Sequence, residues 1–78
     1  MAVADRVKAI VAEEFEVPET QVTDSATFEG DLEGDSLLMM ELLMALEDEF
    51  DMEIPEEEAQ DIQTVGDAVR YIEERTGR

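Results

Sequence analysis

Val3, Val7, Ile10, Val11 and Phe15 recur at helical spacing, so the chain opens on an amphipathic helix over about residues 3–15, closed ahead of Pro18. From Glu16 to Asp35 the periodicity lapses. This stretch gathers Thr, Ser, Asp and Gly, and Val22, Phe28 and Leu32 stand in it as isolated apolar residues, placed to pin a long loop onto a core. Asp35 then has the character of an N-cap for an apolar-rich segment, Ser36 to Phe50, that contains neither Gly nor Pro and reads as a second helix. Ile54-Pro55-Glu56 puts proline at a first helical position, and Ala59 with Ile62 gives a short third helix one apolar face. Thr64 with Asp67 resembles a capping box, followed by Val65, Ala68, Val69 and Ile72 at helical spacing and by Gly77 as a stop. No strand-like alternation survives. The pattern predicts one all-α domain over residues 1–78, a small bundle of three longer helices and one short helix with a long loop between the first and second.

The second helix carries more apolar residues than one face can bury. With Leu46 set toward the core, Met39, Leu42, Leu43 and Phe50 fall within about 60° of it on a helical wheel. Leu37, Met40 and Met44 fall on the far side, beside Glu41 and Asp48 with Glu47 at the edge, and Leu38 lies at the boundary, about 80° from the core centre. A small bundle has no second core to receive that stripe. An apolar strip framed by carboxylates is therefore expected to be a docking surface, in which methionines supply adaptable contact and acids orient a basic partner.

Charge sharpens the choice of partner. With 23 acidic residues against 5 basic ones the formal net charge is −18, which repels nucleic acid and anionic membranes and favours proteins with basic patches. The apolar run Leu37–Met40 is far too short to cross a bilayer. The opening MAVADRVKAI has neither a long apolar region nor an Arg/Ser-rich transit pattern, and there is no cysteine, so a cytoplasmic monomer is expected.

Candidate chemistry centres on Gly34-Asp35-Ser36-Leu37, the GDSL tetrapeptide that marks one class of serine hydrolases. A serine needs an adjacent base to become a nucleophile, and this chain has no histidine and one lysine, Lys8, on a different predicted helix. No catalytic residue is assigned, and the chain is not expected to be an enzyme. Ser36 instead starts the second helix, where unpaired amides and the positive end of the helix dipole favour an anion such as a phosphate ester.

The segments VKAIVAEEFEVPETQV, DLEGDSLLMMELLMALEDEFDMEIPEEEA and TVGDAVRYI, at these spacings, closely resemble an acyl carrier protein of the dissociated fatty-acid or polyketide synthase type, over essentially the whole chain. That resemblance implies that Ser36 receives a 4'-phosphopantetheine arm from coenzyme A through a separate holo-synthase, a phosphopantetheinyl transferase, with Asp35 and Leu37 beside it. Acyl groups would ride on the arm as thioesters and pass among synthase enzymes that bear basic docking patches. It also implies docking through Leu37, Leu38, Met40, Glu41, Met44, Glu47 and Asp48. The acyl pocket would be lined by Phe28, Met39, Leu43, Leu46, Ala59, Ile62 and Ala68. Three positions depart from the family's pattern: Leu38 stands where an acid is common, Met39 where a smaller residue is common, and Glu33 where glycine is frequent.

Two rival readings come from other classes. Asp31, Glu33 and Asp35 alternate as in a calcium-binding EF-hand loop, but Ser36 occupies the required glycine position and Leu42 the required glutamate, so no metal site is assigned. An acidic adaptor that binds a basic partner and carries no prosthetic group would share the charge and the stripe. A peptidyl or aminoacyl carrier is a neighbour within the carrier class, and the acidic second helix favours the fatty-acid type.

Overall fold

The computed structural model describes residues 2–77. Four α-helices occur in this span: α1 (Val3–Phe15), α2 (Ser36–Phe50), α3 (Glu56–Ala59) and α4 (Val65–Thr76), with a 3-10 turn at Glu19–Gln21. α1 packs against both α2 and α4. Its Val3, Val7, Val11 and Phe15 form one buried stripe, as the spacing predicts. The helix stops at Phe15 because Glu16 turns into the left-handed region at φ 55° and its amide bonds back to the helix carbonyls. Pro18 lies just beyond that stop.

The segment from Glu16 to Asp35 is ordered by its apolar anchors. Val22, Phe28 and Leu32 are buried in the core as expected, together with Ala26, which the sequence pattern did not single out. Backbone bonds tie the same segment to the start of α4. The carbonyls of Asp24 and Ala26 accept the Gly66 and Val65 amides at 2.8 and 3.0 Å, and the Phe28 amide donates to the Gln63 carbonyl at 3.0 Å. The loop thereby satisfies two of the amides that α4 cannot bond within itself. Thr27 and Thr64 form an isolated antiparallel bridge, the only strand-like feature among the described residues.

α4 begins as the sequence predicts. Thr64 accepts the Asp67 amide while the Asp67 carboxylate accepts the Thr64 amide, a complete capping box, and Gly77 closes the helix with φ 73°. The third helix differs from expectation by its boundaries. It is confined to Glu56–Ala59 with Pro55 as its cap rather than its first residue, and Ile62 is buried from the turn that follows. So short an acidic segment has too few internal hydrogen bonds to extend itself, and the buried Ile54 and Ile62 on either side pin its ends.

Candidate functional site

Ser36 is the first residue of α2 and is exposed. Two local features set it there. The Asp35 side chain caps the helix by accepting the Leu38 amide at 2.8 Å, leaving the amides of Ser36 and Leu37 unclaimed within the described residues, at the positive end of the helix dipole. Immediately upstream, the Gly34 amide donates to the Phe28 carbonyl at 2.7 Å. A side chain at position 34 would come within 2.5 Å of a Phe15 ring carbon and 2.8 Å of the Phe28 carbonyl oxygen, so only glycine lets the backbone pass this close to the core. Glu33, just before it, adopts a left-handed φ of 55°. Glycine adopts that conformation without a steric penalty, whereas the Cβ of glutamate makes it strained. Asp31 is engaged locally: its amide donates to the Thr27 hydroxyl at 2.9 Å and its carboxylate accepts the Thr27 amide at 3.0 Å.

From Ser36 a cleft of about 630 Å³ runs between α2 and α3. Phe28, Met39, Leu43, Ala59 and Ile62 give it an apolar lining, and Thr27, Glu29, Glu56, Gln60 and Gln63 a polar rim. Five of the seven residues expected at an acyl pocket are thus brought together. The other two lie elsewhere: Leu46 and Ala68 are buried at 0% and 1% exposure and belong to the core, outside the cleft lining. A helical wheel gives a residue's bearing but not its depth. Leu46 is fully buried in the core, whereas Met39 and Leu43, slightly off that bearing, are only half-buried.

The opposite face of α2 is open. Leu37, Met40 and Met44 remain 63, 60 and 63% exposed, and Glu41 and Asp48 are exposed beside them. Two residues expected on this docking surface do not stand free. The Glu47 carboxylate accepts the Ile54 amide at 2.7 Å, which ties the end of α2 to the segment before α3. Leu38 is half-buried against the core, as its boundary bearing on the wheel allows. Charge on the open face is left unneutralised. Arg6 pairs with Glu49, Lys8 with Asp24 at 2.9 Å, Arg70 with Asp67 at 2.6 Å and Arg75 with Glu58, and among the described residues no basic side chain pairs with Glu41 or Asp48.

A further group was not anticipated from sequence. Glu58 of α3 accepts hydrogen bonds from the Tyr71 hydroxyl and the Arg75 guanidinium of α4. The Tyr71 bond and the Arg75 charge outweigh desolvation and hold the Glu58 carboxyl below its usual range. Burial and the same bond to Glu58 push the Tyr71 phenol up to about 12. A glutamate and a tyrosine thirteen positions apart carry no local spacing signal, and only the turn between α3 and α4 brings them together.

A family model described as phosphopantetheine attachment site matches residues 5–72, a span that includes Ser36. The solved structure of an acyl carrier protein from Enterococcus faecalis is 43% identical to this chain, with 92% of this chain and 95% of that one covered, at a TM-score of 0.76. The chain belongs to the acyl carrier protein family. Its role is that of an acyl carrier, with covalent 4'-phosphopantetheine as the prosthetic group. Members of this family are carriers rather than catalysts, and they work with a phosphopantetheinyl transferase and with synthase enzymes. The adaptor reading gains nothing from these comparisons. No helix among the described residues is long and apolar enough to cross a membrane. The residues around Ser36 suit the prosthetic group: an exposed hydroxyl, two free amides for a phosphate, and an apolar cleft starting at the same residue.

Proposed function

We propose that Ser36 is the attachment residue and that the chain is a cytoplasmic, monomeric carrier of the fatty-acid type. The observation that carries this reading is the position of the Ser36 hydroxyl: exposed, at the start of α2, between an apolar cleft on one side and an apolar, acid-framed stripe on the other. The arm supplies a terminal thiol, which this cysteine-free chain lacks, for carrying acyl groups as thioesters. Asp35 orders the helix start through the Leu38 amide, and the Ser36 and Leu37 amides offer hydrogen bonds to the phosphate. Met39, Leu43, Ala59, Ile62 and Phe28 shelter an acyl chain from water.

Leu37, Met40 and Met44 form the contact patch for the transferase and the synthase enzymes, with Glu41 and Asp48 oriented toward basic residues on them. Four acids in the second helix, Glu41, Glu47, Asp48 and Glu49, favour the fatty-acid type over a peptidyl or aminoacyl carrier. The test is intact mass after incubation with coenzyme A and a broad-specificity phosphopantetheinyl transferase. One addition is expected in the wild type and none in Ser36→Ala, in which Ser25 is the only serine left. Addition that persists in Ser36→Ala overturns the assignment. Comparing the loaded protein as a substrate for fatty-acid and polyketide elongating enzymes then decides between the two types.

A further inference from the structure

We infer that Glu58, Tyr71 and Arg75 form a latch that holds α3 as the movable wall of the cargo cleft, and that Tyr71 and Arg75 are positioning residues that set which chain lengths the cleft accepts. The inference rests on the reading of the cleft as the acyl site. α3 contributes Ala59, and the ends of its turn contribute Glu56 and Gln60, to the cleft. Its backbone, however, is weakly supported. The helix is only 4 residues long, and between the buried Ile54 and Ile62 its Glu56, Glu57, Gln60 and Asp61 side chains are all exposed. Of the two that are half-buried, Ala59 faces the cleft and Glu58 faces α4. Among the described residues, the bonds to Glu58 are the only side-chain polar links between α3 and the rest of the molecule.

The other side of the latch is built to stay put. Tyr71 and Arg75 lie one turn apart on the same face of α4, and the Arg75 guanidinium sits 4.9 Å from the centre of the Tyr71 ring. α4 itself is anchored by Val65, Ala68, Val69 and Ile72 in the core and by its capping box. Two donors on a well-anchored helix thus converge on one acceptor on a short one. Releasing them frees the α3 wall to swing outward while leaving Ile54 and Ile62 as hinges on either side. Such a local opening differs from global unfolding, because it exposes α3 without exposing the core.

The experiment compares wild type with Tyr71→Phe and Arg75→Gln, two changes that remove one donor each and keep most of the side-chain volume. In the unloaded protein, amide exchange at Ala59 and Gln60 should be faster than at Val7 and Val11 in α1, and should accelerate about tenfold in each variant, the order expected for losing one hydrogen bond to a charged acceptor. Exchange at Ala59 and Gln60 as slow as at Val7 and Val11, or no acceleration there in the variants, overturns the latch. In protein loaded at Ser36 with butanoyl or octanoyl arms, the rise in melting temperature over the arm without acyl group should shift toward the longer chain in both variants. An unchanged chain-length profile overturns the role in cargo selection. A protein that takes no arm at Ser36 overturns the attachment reading instead, and the exchange rates in unloaded protein then decide the latch alone.

Discussion

α2 and α4 are helices of similar length, 15 and 12 residues, each with a side-chain N-cap and a left-handed residue at its end, yet they treat apolar side chains in opposite ways. α4 buries Val65, Ala68, Val69 and Ile72 and turns its charges outward. α2 fully buries only Leu42 and Leu46, lines a cleft with Met39 and Leu43, and leaves Leu37, Met40 and Met44 in solvent. The two uses cost the molecule differently. Apolar area that leaves water stabilises the fold, whereas exposed apolar area contributes nothing until something covers it. α4 is therefore organised for stability, and α2 divides its apolar residues between stability, cargo and contact.

The largest effects should separate those uses. Leu46→Ala and Ile72→Ala remove fully buried side chains and should each cost about 2–5 kcal/mol in urea unfolding. Met44→Ala should change stability by less than about 0.5 kcal/mol, yet slow modification by a phosphopantetheinyl transferase. A Met44→Ala protein as destabilised as Leu46→Ala would show that the stripe serves the fold.

The caps give the next comparison. Thr64→Ala breaks a reciprocal pair and should cost about 1 kcal/mol, whereas Asp35→Ala loses one bond but also removes a charge from a protein at −18, and should cost less. Acid should reveal the same asymmetry. Burial pushes the Asp67 carboxyl up, but the Gln63 and Thr64 amides, the Thr64 hydroxyl and Arg70 outweigh it and hold the pKa below the ordinary 3.8. Since the folded pKa is depressed, as for Glu58, the stability these groups contribute is complete above their ordinary values and is lost as pH falls through the folded ones. Asp67→Asn should flatten that acid limb. Tyr71 acts at the other end: its neutral form is favoured in the fold, so its contribution is complete below the ordinary 10 and is lost as pH rises toward about 12. Tyr71→Phe should remove the alkaline limb in unfolding measured across that range.

Smaller changes test how α2 is entered. Glu33→Gly relieves a left-handed backbone and removes an acidic charge, offset by greater freedom of the unfolded chain, and should raise stability by about 0.5–1 kcal/mol in thermal or urea unfolding. Any loss of stability would mean that the Glu33 side chain makes an important contact. The smallest effect concerns Leu38. Leu38→Asp places a charge at the border of core and stripe and should speed modification by a transferase that docks through basic residues, by about threefold at low salt and less as salt rises. Equal rates at all salt concentrations would assign Leu38 to packing alone.

Helix existence and caps were legible wherever the signal is local. The capping box at Thr64 and Asp67, the N-cap at Asp35, the stripe of α1 and the two faces of α2 all follow from residues within a turn or two of one another. Less legible were the features that need depth or distant partners. Leu46 shares its bearing with cleft residues of α2 but lies deeper, Ala68 is buried from a helix that does not line the cleft, and Glu47 carries a docking-type charge but its carboxylate is taken up by the Ile54 amide. The burial of Ala26 is likewise invisible in a loop without periodicity.

By itself, then, the sequence determined the all-helical class, the start of α2 at Ser36 and the surplus apolar face, because helical periodicity and capping are set by neighbours a few residues apart. Tertiary structure alone decided that the loop carbonyls of Asp24 and Ala26 satisfy the first amides of α4, that Gly34 passes against Phe15, and that Glu58 meets Tyr71 and Arg75. Each of these joins residues distant along the chain. Their geometry depends on how the helices settle around a shared core, and no spacing within a single segment encodes that settlement.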